Sequence, residues 1–271
     1  MFTTIINDCK DDNAKSRQES RIGSLISTAI SFIGVDSDIE AGMQLIDILD
    51  ATYGREGLIL VNVAPRGNES KKWENGTPFA YFWFKETLVI SSVDGFTLSA
   101  VKALNLIEKV QLLDIHQAVE AMFTAGFISQ EEARRIPFSQ FRSFDFTPRV
   151  GAFLINKNQV PSTDYFLKEV SDLPAAIWHI DNFGNAKTTL ISNNNLQEHT
   201  KTQTHFGELP FFKHLRDIPD NTTALVQGSS GLKNTRFLEI ITQRKNFAKS
   251  ANAKIGDDIF SDKSYFRQAT E

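Results

Sequence analysis

The chain has 271 residues, with 29 Lys plus Arg against 33 Asp plus Glu, a net charge of −4 and a pI near 5.8. That length accommodates one large or two modest domains, each with a core of its own. The slightly acidic balance, with no run of five basic residues, excludes a nucleic-acid footprint. The longest apolar stretches, 58–63 and 79–84, are strand-sized and far too short to span a bilayer, so no membrane partner is expected.

In chain order, strand-like runs at 3–6, 57–63, 80–84 and 88–91 alternate with helical patterns at 20–32 and 38–53. In the second helix Ile39, Met43, Ile46 and Leu49 recur at helical spacing, with Asp38 placed as its cap. Such alternation predicts an α/β layer with a largely parallel sheet. After Leu98 the pattern turns helical, at 101–110, 115–123 and 130–135. Residues 157–174, with Pro161, Asp164, Ser171 and Pro174, read as a connector. Short β-type runs follow at 176–180, 187–191, 224–227 and 237–242, separated by Asn, Gly and Ser clusters, including a turn at Asn193-Asn194-Asn195. That is the pattern of a small barrel or sandwich. The expected fold class is therefore α/β: an N-terminal α/β domain over 1–165 and a smaller C-terminal all-β, barrel-like domain over 175–271.

One cysteine, Cys9, cannot form an internal disulfide, and the strand-like start at 2–6 has none of the features of a secretory signal. A reducing cytoplasm is the expected location. The five histidines have no i, i+4 pair, and Cys or carboxylate ligands at metal-site spacing are missing, so no metal is expected. His199 and His205 bracket a polar loop and read as solvated. Phosphate-loop glycine motifs and a serine-nucleophile elbow are absent. The 22 phenylalanines cluster at Phe79, Phe82 and Phe84 and at Phe138, Phe141, Phe144 and Phe146, which reads as core and interface packing with some rings left to wall a pocket.

The most informative segment is Trp178-His179-Ile180-Asp181-Asn182-Phe183-Gly184-Asn185. It supplies a carboxylate for an ammonium group, a ring for a planar heterocycle and an amide for a base edge. That combination suits a purine nucleoside with a charged tail. Taken alone, the same letters more readily describe a strand followed by an ordinary turn, because Asp, Asn and Gly are turn residues.

Read with its surroundings, Ile180 to Asn185 resembles the IDxFGN segment of the S-adenosylmethionine hydroxide adenosyltransferase family, which includes the fluorinating and chlorinating adenosyl halogenases. Other segments fit in the same order. Thr4-Ile5-Ile6-Asn7-Asp8 is similar to the family's opening strand ending in Thr-Asp, and Asp38-Ile39-Glu40-Ala41-Gly42 to its Asp-Ile-x-Ala-Gly helix start. Val63-Ala64-Pro65-Arg66-Gly67 stands where the family has a Val-Asp-Pro-Gly turn, and Ser92-Val93-Asp94-Gly95 where Pro-Asp-Asn-Gly is usual. Gly228 to Ile240 and Lys254-Ile255-Gly256-Asp257-Asp258 resemble the closing strand and Val-Gly-Asp segments.

The resemblance implies a small-molecule adenosyl partner, with S-adenosylmethionine as substrate or ligand. It also implies a homotrimer with its pocket between the first domain of one subunit and the second domain of its neighbour. It assigns the ribose hydroxyls to Asp8, the methionine amine to Asp181, the adenine face and edge to Phe183 and Asn185, and the amino-acid end to Ser230 and Arg236. The insertion 232–235 falls beside that last pair, and Glu239 reads as structural. In the hydrolytic reaction water attacks the 5′ carbon and methionine leaves as a neutral thioether, so the protein aligns a water, excludes others and accepts a proton. The family's Asp, Arg and His for these tasks correspond here to Ala64, Lys71 and, across a one-residue gap, Arg142. Arg66 and Asn68 replace glycines of the turn. Loss of a general base costs about 10² to 10⁴ in rate, which predicts weak hydrolysis. Lys71 is the residue left to take a proton, since a desolvated lysine loses its own near neutral pH. A non-catalytic nucleoside-binding or interaction protein is the alternative. Halogenase-like use of an anion ranks last, because Arg66 and Arg142 would oppose a cationic sulfonium.

Overall fold

A computed structural model of the chain describes residues 1–64, 77–192 and 196–260, which divide into two compact units, Met1–Asp172 and Leu173–Glu271. The first unit begins with β1 (Phe2–Asn7), α1 (Asp12–Gly23), β2 (Ala29–Gly34), α2 (Asp38–Ala51) and β3 (Gly57–Asn62). It continues through β4 (Phe79–Phe84), β5 (Thr87–Ser92), α3 (Ser99–Ala103), β6 (Lys109–Leu113), α4 (Ile115–Thr124), α5 (Gln130–Arg135), α6 (Arg142–Asp145), α7 (Thr147–Ile155) and β7 (Ser162–Phe166). Seven strands form one sheet in the order β2-β1-β3-β5-β4-β6-β7. The four strands β2, β1, β3 and β5 are parallel, and β4 inserts antiparallel between β5 and β6.

The apolar runs of the central strands are continuous because both sheet faces are covered. Ile5, Leu58, Leu60, Leu88 and Ile90 pack with Ile22 of α1 and with Val150, Phe153 and Leu154 of α7. Gly151 permits this approach, since a Cβ there would stand 3.1 to 3.3 Å from Leu58, Leu60 and Ile90. On the opposite face Ile6, Ile59, Val61 and Val89 are buried, and α2, with Met43, Leu45 and Ile46 buried, contacts β1 and β3.

Several local expectations are corrected. The first helix starts at Asp12, with Asp11 accepting from the Asn13 and Ala14 amides, and ends at Gly23. Ile30 and Phe32, which continued the helical spacing, lie in β2 and pair with β1. Ser37, rather than Asp38, caps α2 by accepting from the Glu40 amide at 3.1 Å. Asp38 instead accepts from the Phe96 amide at 2.8 Å, tying the start of α2 to the loop after β5. The helix expected over 101–110 ends at Ala103, and the expected connector holds β7, which pairs with β6. The turn expected at Asn193 to Asn195 lies outside the described residues.

The second unit contains β8 (Ile177–Ile180), β9 (Ala186–Ile191), β10 (Lys201–Thr204), β11 (Gly207–Phe212), β12 (Thr223–Leu232), β13 (Thr235–Thr242) and the short α8 (Phe247–Ala251). Its sheet order is β10-β11-β12-β13-β9-β8, antiparallel except for β11 against β12. Period-two alternation sends Leu225, Leu238 and Ile240 to a core closed by Phe247 and Ile259. Ala224, Val226 and Ile241 form a second cluster with Phe212 and Ile218. The protein is thus α/β, with a largely parallel sheet in the first unit and a smaller, barrel-like β unit following it.

Candidate functional site

Each unit carries its own group of the residues expected to act. In the first, the chain leaves β1 for β2 on one side and crosses back to β3 on the other, creating a switch point beyond the carboxyl ends of β1 and β3. Open α/β sheets bind ligands at such points. Asp8 and Ala64, each just past its strand, meet there: the Ala64 amide donates to Asp8 Oδ2 at 3.1 Å. Asn7, buried beside it, donates to Gln18 Oε1 at 2.8 Å and accepts the Cys9 amide at 2.8 Å, which fixes the chain as it leaves the sheet. On the neighbouring strand Ser92 Oγ accepts the Val63 amide at 3.4 Å. The switch point is thus lined by a half-buried carboxylate and short polar side chains.

Lys71 lies outside the described residues, as do Pro65, Arg66 and Asn68. Arg142 opens α6 and donates from Nη1 to the carbonyl of Thr77 at 3.2 Å. Burial pushes its guanidinium below the ordinary arginine value. It therefore anchors the chain as it enters β4, a role that the sequence spacing did not reveal.

In the second unit Asp181, Phe183 and Asn185 sit together in the β8–β9 hairpin. Asp181 Oδ1 accepts the Phe183 and Asn185 amides at 2.8 and 2.9 Å, and Oδ2 accepts Asn185 Nδ2 at 2.9 Å. The two polar residues of the motif thus hold each other in an Asx-type turn. Gly184 adopts φ +85°, and a Cβ there would stand 2.1 Å from Asn246, the cap of α8. The consequence of this tight local wiring is that Phe183 is carried outward, 70 % exposed. A carboxylate has about four acceptor positions, so one remains on Asp181 for a further donor.

Ser230 is buried in the irregular stretch of β12 between Gln227 and Gly231, where the register against β13 shifts. Bulges re-aim side chains in this way. Its hydroxyl accepts Lys187 Nζ at 2.9 Å, and the same ammonium stands 5.6 Å from the centre of the Trp178 ring. Lys187 was missed in the sequence, although it is the lone charged residue of β9. Arg236 donates from Nη1 to the Ser229 carbonyl at 3.0 Å, and Glu239 accepts the Ser229 amide at 3.3 Å. The insertion at 232–235 is the end of the β12–β13 hairpin, with Leu232 opposite Thr235 and Lys233 at φ 53°. It leaves Ser230 and Arg236 on facing strands of that hairpin.

Among the described residues no three His, Cys, Asp or Glu side chains gather to hold a metal ion. Among the same residues no helix is long and apolar enough to cross a membrane. No family description and no curated protein matches the sequence. Two solved structures share the fold. One is an uncharacterized conserved protein from Thermotoga maritima, with a TM-score of 0.67 and 13 % identity over 94 % of this chain and 98 % of that one. The other is a conserved hypothetical protein from Thermus thermophilus, with a TM-score of 0.58 and 13 % identity over 94 % and 97 % of the two chains. At that identity the likeness speaks for the fold alone.

Proposed function

We propose that the protein binds an adenosyl ligand, S-adenosylmethionine foremost, as a divergent relative of the hydroxide adenosyltransferases, and hydrolyses it weakly or not at all. The observation that carries this reading is the outward Phe183 ring, held by the Asp181–Asn185 turn: an aromatic face kept in water at the cost of its own burial is a stacking platform for a planar base. The Asn185 amide retains one N–H and its oxygen for a base edge. Asp8 at the switch point offers a carboxylate to vicinal hydroxyls.

Weak hydrolysis follows from Ala64. A methyl group accepts no proton, and its backbone amide is already committed to Asp8. If hydrolysis runs, water forms the bond to the 5′ carbon as the carbon–sulfur bond breaks. Methionine then leaves with the sulfur electron pair, and the released proton passes to a neutral Lys71. A homotrimer belongs to this proposal, and light scattering that finds only monomer at micromolar concentration removes that part of it. The function is tested by calorimetric titration of S-adenosylmethionine and adenosine, followed by chromatography for methionine. Saturable binding with methionine release at the buffer rate is the expected result. Brisk release abolished by Lys71→Ala would make the protein an enzyme that uses lysine as base, and no binding of either compound would overturn the proposal.

A further inference from the structure

A groove of about 380 Å³ runs along α1 beside the α6 turn that Arg142 opens, lined by Asn13, Ser16, Arg17, Ser20, Arg21 and Phe144. Two guanidinium groups share one aromatic ring there: Arg17 and Arg21 lie 4.3 and 4.5 Å from the centre of Phe144. Placing two like charges against one ring is electrostatically unfavourable unless a counter-charge joins them.

Burial and Arg149 hold the Arg21 guanidinium below its ordinary value, Asp145 and Glu132 offset this only in part, and both acids have other hydrogen-bond partners. Glu132 Oε1 accepts Arg149 Nη2 at 2.6 Å, and the Asp145 carboxylate takes Arg135 at 2.7 Å and the Ser139 hydroxyl at 2.6 Å. Among the described residues no carboxylate forms an ion pair with Arg17 or Arg21, and Arg21 Nε is buried without an acceptor. Stacking occupies the face of a guanidinium and leaves its N–H edge for an acceptor lying in the same plane. The walls beside the arginines carry neutral donors, hydroxyls and an amide, and no acid.

We propose that this groove is an anion site for a phosphoryl group, either free phosphate or the phosphate of a small ester, gripped by Arg17 and Arg21 on the Phe144 platform. Paired arginines meet a tetrahedral dianion with several charge-assisted hydrogen bonds, and the open groove leaves room for a small anion beside them. The assignment stands apart from the adenosyl reading, since it uses none of the same residues.

The test is calorimetric titration of the full chain with inorganic phosphate and with ribose 5-phosphate, at constant ionic strength held by chloride. Saturable binding of at least one probe is expected, weakened about tenfold or more by Arg17→Gln and by Arg21→Gln. It should be unchanged by Lys201→Gln, whose ammonium pairs with Glu208 in the second unit. Tighter binding of the ester assigns the site to a phosphorylated small molecule, and equal or tighter binding of the inorganic ion assigns it to free phosphate. Arg17 is exposed, so its variant will fold even if Arg21→Gln does not. No saturable binding of either probe, or undiminished affinity in Arg17→Gln, overturns the proposal.

Discussion

Ala64 donates its amide to the carboxylate of Asp8 at 3.1 Å, bridging the ends of β1 and β3. At this contact the carboxylate proposed to bind a ribose is held by the residue that stands where a general base would. The pairing uses backbone, so it survives any side chain at position 64 that leaves the chain path intact.

Ala64→Asp should therefore restore some methionine release from S-adenosylmethionine while wild type stays near the buffer rate. The gain should fall short of the full factor of about 10² to 10⁴ attached to a general base, because Lys71 and Arg142 still replace their counterparts and such groups act as a unit. A wild-type rate well above buffer would contradict this.

Phe183→Ala should leave stability within about 0.5 kcal/mol of wild type, as is usual for exposed positions. Adenosine affinity should drop by about 1 to 3 kcal/mol, the loss of one base–aromatic stack. Thermal melts and calorimetry on the same preparation separate the two. A melting point that collapses with affinity unchanged would make the ring structural.

Asn185→Ala removes a donor from Asp181 Oδ2, whereas Asp181→Ala removes the acceptor of three hydrogen bonds. Since a hydrogen bond contributes about 1 kcal/mol net and more when one partner is charged, the Asp181 variant should melt well below the Asn185 variant. Asn185→Ala should weaken adenosine binding by more than its stability loss. The reverse order of melting points would show that the turn is held by something else.

Glu132 is held at about 2: burial pushes its carboxyl up, but the Ser129 amide and hydroxyl and the Arg149 guanidinium outweigh that effect. A carboxyl whose folded value is depressed adds stability that is fully present above its unfolded value of 4.5 and is lost as pH falls toward 2. Glu132→Gln should be less stable than wild type at neutral pH, and the gap should close between pH 4.5 and 2. Denaturant melts across that window test it, and a constant gap would show that the loss is one of packing.

Sequence alone determined the elements whose partners are implicit in their own pattern. The alternation of strand and helix patterns through the first half required an α/β layer with a largely parallel sheet, and the continuous apolar runs of β3 and β5 fit burial on both faces. The spacing of Ile39, Met43, Ile46 and Leu49 required a helix. Gly42 in that helix is required by the fold, because a Cβ there would stand 2.7 Å from the Thr97 carbonyl. Tertiary structure decided what depends on distant partners. Ile30 and Phe32 continue a helical spacing locally, yet six consecutive pairings with β1 make that stretch a strand. β6 and β7 are half polar and gain their status from pairing, β6 with β4 and β7 with β6, through pairs such as Gln111 with Asp164. The same holds for side chains. The letters of the IDNFGN segment favoured an ordinary turn over a base-binding set, and the fold shows that Asp181 and Asn185 build the turn while Phe183 is the ring it turns outward. Lys187 beside Ser230 and the two arginines on Phe144 had no signal in sequence, because cross-strand and helix-to-helix neighbours are set by register and packing rather than by local pattern.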